Sequence, residues 1–180
     1  WNQGGENATI WVELPFIEEG VNTTIYMYYG NSDATNQSSA DDTFMLYEDF
    51  DDGVADGWSV ETGTWNIENN DYYYQTTSLG PPYPISVAGS DSWVNYTIET
   101  SVNVTGTLGS PEYFAGVVLR HQDTGNFYTV ILDDRTPDDS IWIRQYLSSS
   151  WTQQEYTDVN LEVDEFVDLR ADVFDYQGQD

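Results

Sequence analysis

Apolar and polar residues alternate with a period of two along most of this chain, and no apolar recurrence at three and four residues continues over three helical turns. Alternation at two is typical of strands that bury one face, so the chain is predicted to be all-β. Predicted strands cover residues 10–14, 24–29, 44–50, 63–68, 71–76, 93–105, 114–121, 127–132, 141–146 and 166–174. Turn residues separate them at sandwich spacing, and Asp123 to Asn126 is the clearest hairpin turn.

Composition changes after the second predicted strand. Residues 32–43 are Ser, Asp, Ala, Thr, Asn and Gln, with little to bury, which predicts a polar linker. The linker separates a partial N-terminal β domain at 1–31 from a sandwich at 44–180. The sequence contains neither a signal peptide nor an apolar run long enough to cross a membrane, so we expect a fragment of a longer protein.

Sequons for N-glycosylation are dense in this chain. In the predicted strand 93–105, Asn95 and Asn103 share one face, and the opposite, core-facing positions are Tyr96, Ile98, Val102 and Val104. Both sequon residues are therefore predicted to point to solvent, as glycan acceptors must. The other sequons begin at Asn7, Asn22 and Asn36. Together they predict a glycoprotein that is extracellular or at the cell surface.

Charge restricts the possible partners. The chain has 32 Asp and Glu against 4 Arg and no Lys, a net charge of -28, which would repel a phosphate backbone and excludes nucleic acid. Aromatic residues make up 16% of the sequence, so the chain is still expected to fold. Molar salt shortens the Debye length to about 3 Å and would screen the self-repulsion. We therefore predict a halophilic source; the alternative is an acidic extracellular domain loaded with calcium.

Several segments resemble the concanavalin A-like sandwiches of the laminin-G-like and glucanase-like type. They are Phe50-Asp-Asp-Gly53, Asp56-Gly-Trp58, Gly63-Thr-Trp-Asn-Ile-Glu-Asn69, Gly116-Val-Val-Leu-Arg120 and Gly125-Asn-Phe-Tyr128. The resemblance implies an antiparallel jelly-roll β-sandwich of the kind found in secreted glycan-binding proteins. It also implies further closing strands, so we expect the sandwich to be truncated at its C-terminus.

Upstream, Trp11-Val-Glu-Leu-Pro15 and Thr24-Ile-Tyr-Met-Tyr-Tyr-Gly-Asn31 resemble the tail of a small uncharacterised β domain. Such domains precede these sandwiches in archaeal and bacterial surface proteins. The resemblance implies that residues 1–31 lack their opening strands.

Few residues of this chain are suited to catalysis. The related glycosidases need two carboxylates across the scissile bond, in the motif Glu-x-Asp-x-x-Glu. Glu162 and Asp164 begin that motif, but its sixth position is Val167. His121 is the single histidine and there is no cysteine, which leaves almost nothing for a zinc site or a catalytic triad. We expect no enzymatic activity from these residues.

An acidic cluster is a candidate calcium site. Four carboxylates surround Gly53 and offer the oxygen ligands that Ca²⁺ prefers: Asp49, Asp51, Asp52 and Asp56. Similar sandwiches hold a structural Ca²⁺ near their first strand. The alternative is a solvated loop of a halophilic surface.

One predicted strand carries side chains suited to sugar binding, which needs flat aromatic faces beside planar hydrogen-bonding groups. In residues 141–146, Ile141 and Ile143 are predicted to face the core, and Trp142, Arg144 and Tyr146 the opposite side. Neighbouring strands add further polar and aromatic groups. The candidate ligand-binding residues are Arg120, Gln122, Tyr128, Trp142, Arg144 and Tyr146. Ion pairs would explain Arg120 and Arg144 equally well.

These patterns favour an extracellular glycan-binding or adhesion module, with polysaccharides or glycoprotein glycans as partners. One alternative is a structural repeat of a surface layer or filament, which self-associates through unpaired strands. A second alternative is a polysaccharide hydrolase on the same fold.

Overall fold

A computed structural model describes residues 8–75, 83–105, 114–133, 139–162 and 165–175, with the backbone alone for residues 72, 74, 75, 153 and 154. Asn7 lies outside the described residues. The chain divides into two compact units, the first ending at Asp49 and the second beginning at Phe50. Within the described residues, no helix is long and apolar enough to span a membrane.

The described part of the first unit contains one short helix, α1 (Ala40–Thr43), inside the predicted polar linker. The Ser39 hydroxyl caps it by accepting a hydrogen bond from the Asp42 amide at 3.2 Å. Asp41 and Asp42 lie in the first turn, where negative charge is favourable. Phe44 follows the helix and packs edge-on against Trp11, with ring centroids 5.5 Å apart.

The strands predicted at 10–14, 24–29 and 44–50 are wrong for the described residues. None of these segments pairs with another strand there, and Tyr28 and Tyr29 are each 91% exposed. An alternating pattern forms a strand only when a second backbone satisfies its hydrogen bonds. Phe50, moreover, has a left-handed backbone (φ 61°), which ends any extended run at that residue.

The second unit is antiparallel β, which confirms the all-β prediction. Its described strands are β1 (Ser59–Thr62), β2 (Trp65–Glu68), β3 (Tyr72–Gln75), β4 (Ile85–Val87), β5 (Tyr96–Asn103), β6 (Phe114–Asp123), β7 (Asn126–Asp133), β8 (Ser140–Leu147), β9 (Ser150–Asp158) and β10 (Phe166–Val173). Strands β6-β7-β8-β9 form a four-stranded sheet in that order. The remaining described strands pair two by two, as β5 with β10, β1 with β4, and β2 with β3.

The predicted hairpin turn between β6 and β7 is confirmed. Asp123 Oδ1 accepts hydrogen bonds from the Gly125 amide at 2.7 Å and from Asn126 Nδ2 at 2.8 Å. These bonds, the backbone one first, lower the pKa of Asp123 below its usual value. The next turn was not recognised in the sequence, because Ser148 and Ser149 adopt positive φ without the usual Asn or Gly.

The two faces of the four-stranded sheet are covered differently. On one, here called the core face, Leu119, Val130 and Leu132 pack against Val102 and Leu169 of the β5–β10 pair. Leu132 is fully buried. The predicted inward positions of β5 are confirmed, because all four lie in or against this core: Tyr96, Ile98, Val102 and Val104.

The outer face of the β5–β10 pair is a polar ladder. Thr97 and Ser101 donate hydrogen bonds of 2.6 Å to Asp172 and Asp168. Arg170 bridges Glu99 at 2.6 Å and Asp172 at 3.0 Å. The Thr97 hydroxyl, followed by Arg170, lowers the pKa of Asp172, and Asp172 raises that of Arg170.

Candidate functional site

The other face of the four-stranded sheet, here called the Trp142 face, carries a row of aromatic rings. Trp142 on β8 is paired in register with Tyr156 on β9. Their rings stack, with centroids 4.6 Å apart and an interplanar angle of 19°. Trp142 Nε1 donates to the Ser140 hydroxyl at 2.6 Å, which fixes the indole ring. Tyr156 is 50% exposed, so a supported aromatic ring is presented to solvent at the sheet edge.

A β-bulge places Tyr156 on this face. Ile143 pairs with Glu155, but Arg144 pairs with Gln153, so Gln154 is an extra residue in β9. Without the bulge, Trp151 and Tyr156 would point to opposite faces, because they are an odd number of residues apart. With it, Trp151 lies opposite Tyr146 and Tyr156 opposite Trp142 along one edge.

Arg144 lies between the aromatic rings of this row. Its guanidinium carbon is 4.0 Å from the centroid of Trp142 and 6.0 Å from that of Trp151. Both distances suit a cation–π interaction. With Tyr156 stacked on it and Arg144 over it, Trp142 has little free ring surface, so Tyr156 is the ring available to a ligand.

Buried polar groups lie beside this row on the same face of the sheet. Thr129 pairs with Arg144, and Asp133 pairs with Ser140; all except Arg144 are buried. The Thr129 hydroxyl has no hydrogen-bond partner. Side chains on paired strands are positioned more precisely than side chains on loops, which favours a preorganised binding surface.

Tyr146, at the other end of the row, is a buried core residue. It is only 7% exposed, and its ring centroid lies 5.0 Å from that of Phe127 and 4.6 Å from that of Trp151. Tyr83 and Ile85 cover this end of the face. Ile143, in contrast, is exposed and Ile141 packs on the core, so the predicted in-and-out assignment of β8 is correct in parity but wrong in burial at Ile143 and Tyr146.

Tyr128, another predicted ligand-binding residue, lies on the core face of the sheet and is not part of the core cluster there. It is 38% exposed, and its hydroxyl accepts a hydrogen bond from Gln145 Nε2 at 2.9 Å. Tyr128 pairs with Gln145 in register, so both side chains point away from the Trp142 face.

Arg120 has a structural role in the described contacts. Its backbone has φ 46° within an irregular stretch of β6, and its amide donates to the Tyr96 hydroxyl at 3.0 Å. Its guanidinium donates to the Val94 carbonyl at 3.0 Å and to Asp175 at 2.6 Å. Gln122 is exposed in the same irregular stretch. The six predicted residues therefore do not share one surface, and the Trp142 face holds only Trp142, Arg144 and the buried Tyr146.

The sequon residues differ in accessibility. Asn22 and Asn36 are exposed. Asn95 is also exposed, and its side-chain oxygen accepts from the Asp175 amide at 2.8 Å. Asn103 is half-buried, and its side-chain oxygen is buried without a partner. The expectation that both strand residues point freely to solvent is thus wrong at Asn103, and occupancy of the sequons stays a prediction.

The predicted calcium ligands lie within the described residues, each in or near the turn around Gly53. Among the described residues, no three His, Asp or Glu side chains are grouped so that they could hold a metal ion. Asp52 instead accepts a hydrogen bond from the Val54 amide at 2.8 Å, closing its own turn. A calcium site at Asp49, Asp51, Asp52 and Asp56 therefore stays a sequence-based prediction.

Comparisons with known proteins give two matches. A family model described as a domain of unknown function, DUF2341, matches residues 1–68. A solved structure of the carbohydrate binding module CBM66 from Bacillus subtilis is similar to the chain, with a TM-score of 0.46 and 14% identity. That similarity covers 65% of this chain and 68% of the other. A search of curated proteins found no significant match.

Proposed function

We propose that this chain is a glycan-binding module and that Tyr156, supported by Trp142, is the platform on which a sugar ring stacks. The observation that carries the proposal is the 4.6 Å stack of these rings, with the outer one half exposed on a sheet edge. Sugar rings present a flat set of C–H groups, which pack on an aromatic face, while their hydroxyls need nearby donors and acceptors.

The surroundings of the stack support this use. Arg144 supplies N–H donors next to the rings, and a guanidinium has five of them in a fixed plane. The Ser140 bond and the stack hold Trp142 in place, so little side-chain entropy is lost when a ligand binds.

We also propose that the module works outside the cell and in high salt. The net charge of -28, without a single Lys, supports the salt requirement, because dilute buffer would leave the repulsion between carboxylates unscreened. The exposed sequons at Asn22, Asn36 and Asn95 support an extracellular setting.

The test is a glycan array in molar salt, followed by titration calorimetry with the glycans that bind. Tyr156→Ala is expected to weaken binding about tenfold or more, equivalent to about 1.4 kcal/mol. Tyr128→Ala is the matched control, because it removes an exposed tyrosine from the other face of the same sheet. That variant is expected to bind as the unchanged chain does.

Two results would contradict the proposal. Absence of any bound glycan on the array would reject the function. Equal binding by Tyr156→Ala and the unchanged chain would reject the site, and a selective loss in Tyr128→Ala would move it to the core face.

A second candidate function is a self-associating structural unit, which is favoured by the first unit. Alternate residues of its described segment, Ile25, Met27 and Tyr29, are exposed, as are the intervening tyrosines. A strand from a second copy could pair with this segment and cover one face. Sedimentation velocity in molar salt over a hundredfold range of concentration tests this, and a monomer throughout would reject it.

A further inference from the structure

We infer that the glycan site extends along strand β9 on the Trp142 face and takes a linear chain of several sugars, which stacks on Tyr156 at one end and on Trp151 at the other. This inference rests on the proposed function, because it names the class of glycan for the same site. Both aromatic residues lie on one face of β9, and both are open to solvent in part.

Trp151 is a second platform for a sugar ring. Its ring centroid lies 4.6 Å from that of Tyr146, 5.4 Å from that of Tyr83 and 5.9 Å from that of Phe127. Tyr146 and Phe127 are buried, whereas Trp151 remains partly exposed. A ring that is fixed by its neighbours and open to solvent on part of its surface stacks on a sugar at little cost in side-chain entropy.

The two platforms are too far apart for one sugar. Their partners on β8, Trp142 and Tyr146, are four residues apart, which corresponds to about 13 Å of strand. A single pyranose ring is shorter than this distance, so one ligand occupies both platforms only if it is a chain. The bulge at Gln154 keeps both rings on the same face, so that chain lies flat along the strand.

The position of β9 in the sheet leaves room for such a chain. Among the described strands, β9 pairs with β8 alone, because the sheet order is β6-β7-β8-β9. Asp158 is exposed, two residues beyond Tyr156 and on the same face, since it pairs with Ser140 as Tyr156 pairs with Trp142. Its carboxylate oxygens are acceptors for sugar hydroxyls, so the Tyr156 end offers a polar contact as well as a ring.

Two platforms and one chain give a characteristic dependence of affinity on chain length. Once one sugar is stacked, the glycosidic links hold the following sugars near the second ring at a high effective concentration. We therefore expect affinity to rise steeply with length until both rings are covered, and to level off beyond that length. A site with a single platform would reach its full affinity with a monosaccharide or disaccharide.

The experiment is titration calorimetry in molar salt with linear oligosaccharides of increasing length. The probes are cello-, laminari-, xylo- and malto-oligosaccharides, each from the monosaccharide to the hexasaccharide. In the series that binds, the tetrasaccharide is expected to bind at least about tenfold more tightly than the disaccharide. Lengthening the chain from pentasaccharide to hexasaccharide is expected to add little.

Variants of Trp151 assign the gain in affinity to this ring. Trp151→Leu fills much of the space but lacks the flat aromatic face, so it is expected to reduce affinity for the tetrasaccharide to about that for the disaccharide. Tyr156→Ala is expected to do the same, since it also leaves one platform. Thr152→Ala is the matched control, because Thr152 is the next residue of β9, is exposed and lies on the opposite face. That variant is expected to bind as the unchanged chain does.

A second measurement avoids any change to the packing around Trp151. The unchanged sequence is labelled with 5-fluorotryptophan, and the fluorine signal of Trp151 is identified by its loss in Trp151→Phe. Saturation with the tetrasaccharide is expected to shift that signal. Near-ultraviolet circular dichroism and thermal unfolding establish that each variant is folded.

The outcomes separate the two proposals. The inference is wrong, while glycan binding stands, if the disaccharide binds as tightly as the tetrasaccharide, if folded Trp151→Leu keeps the gain with length, or if the Trp151 signal does not shift at saturation. It is also wrong if array glycans bind but none of the linear series does. If no glycan binds at all, the proposed function fails and the inference fails with it.

Discussion

Tyr146 provides the sharpest test of the site, because the sequence places it in the ligand-binding set and the structure places it in the core. The residue is 7% exposed. Its ring centroid lies 5.0 Å from that of Phe127, 4.6 Å from that of Trp151 and 6.0 Å from that of Tyr83. Replacing a buried aromatic residue by Ala costs about 3–5 kcal/mol, from lost burial and the cavity left behind. We therefore expect Tyr146→Ala to lower the free energy of unfolding by about that amount.

That loss is a large fraction of the 5–15 kcal/mol that stabilises an ordinary domain. The assay is equilibrium urea unfolding in molar salt, followed by tryptophan fluorescence. Tyr146→Phe keeps the ring and is expected to stay within about 1 kcal/mol of the unchanged chain. Tyr128→Ala, at a position that is 38% exposed, is the surface control and is also expected to cost less than about 1 kcal/mol.

The binding measurement separates the two roles of Tyr146. Tyr146→Phe, which leaves the packing intact, is expected to bind glycan as the unchanged chain does. The reasoning would be refuted if Tyr146→Ala unfolded at the same urea concentration as the unchanged chain and yet bound glycan more weakly.

Further predictions concern the core, the polar ladder, the bulge and the charge. Leu132→Ala is expected to destabilise the second unit by about 2–5 kcal/mol in urea unfolding, since Leu132 is fully buried. Because the pKa of Asp172 is lowered from 3.8, its contribution to stability is present above about pH 4 and is lost as pH falls through the lowered value. Thr97→Val should make thermal stability less pH-dependent there, and an unchanged profile would argue against the Thr97 bond. Deleting Gln154 should turn Tyr156 to the core face and abolish glycan binding, measured by calorimetry. Transfer from molar to dilute salt should lower the melting temperature, and an unchanged value would contradict the halophilic source.

The alternation of side chains was predictable from the sequence, but the burial of each face was not. Trp142, Arg144 and Tyr146 do share one side of β8. The burial of Tyr146 depends on Ile85 of β4, which covers one end of the Trp142 face, whereas Ile143 lies on the core face and is exposed there. Strand β4 has only three residues and is distant in sequence from β8, so no local sequence pattern predicts its contact with Tyr146.

Tyr156 was missed for a local reason that can be traced. Strand β9 follows a Ser-Ser turn with positive φ at both positions, a conformation that Asn and Gly usually mark. The bulge at Gln154 then breaks the period of two, so Trp151 and Tyr156 read as residues of opposite faces. Three-dimensional pairing was needed to bring Tyr156 next to Trp142.

The use of Arg without Lys follows from what each described arginine does. Arg170 reaches Glu99 and Asp172 together, Arg120 reaches a backbone carbonyl and Asp175 together, and Arg144 lies near two indole rings. Arg170 uses three different guanidinium nitrogens and Arg144 offers a flat face, which a lysine ammonium cannot do, whereas both Arg120 bonds come from one nitrogen. Molar salt weakens charge attraction beyond about 3 Å but leaves directional contacts at 2.6 to 3.0 Å largely intact. We therefore expect Arg170→Lys to weaken the β5–β10 ladder, measured as a lower melting temperature in molar salt.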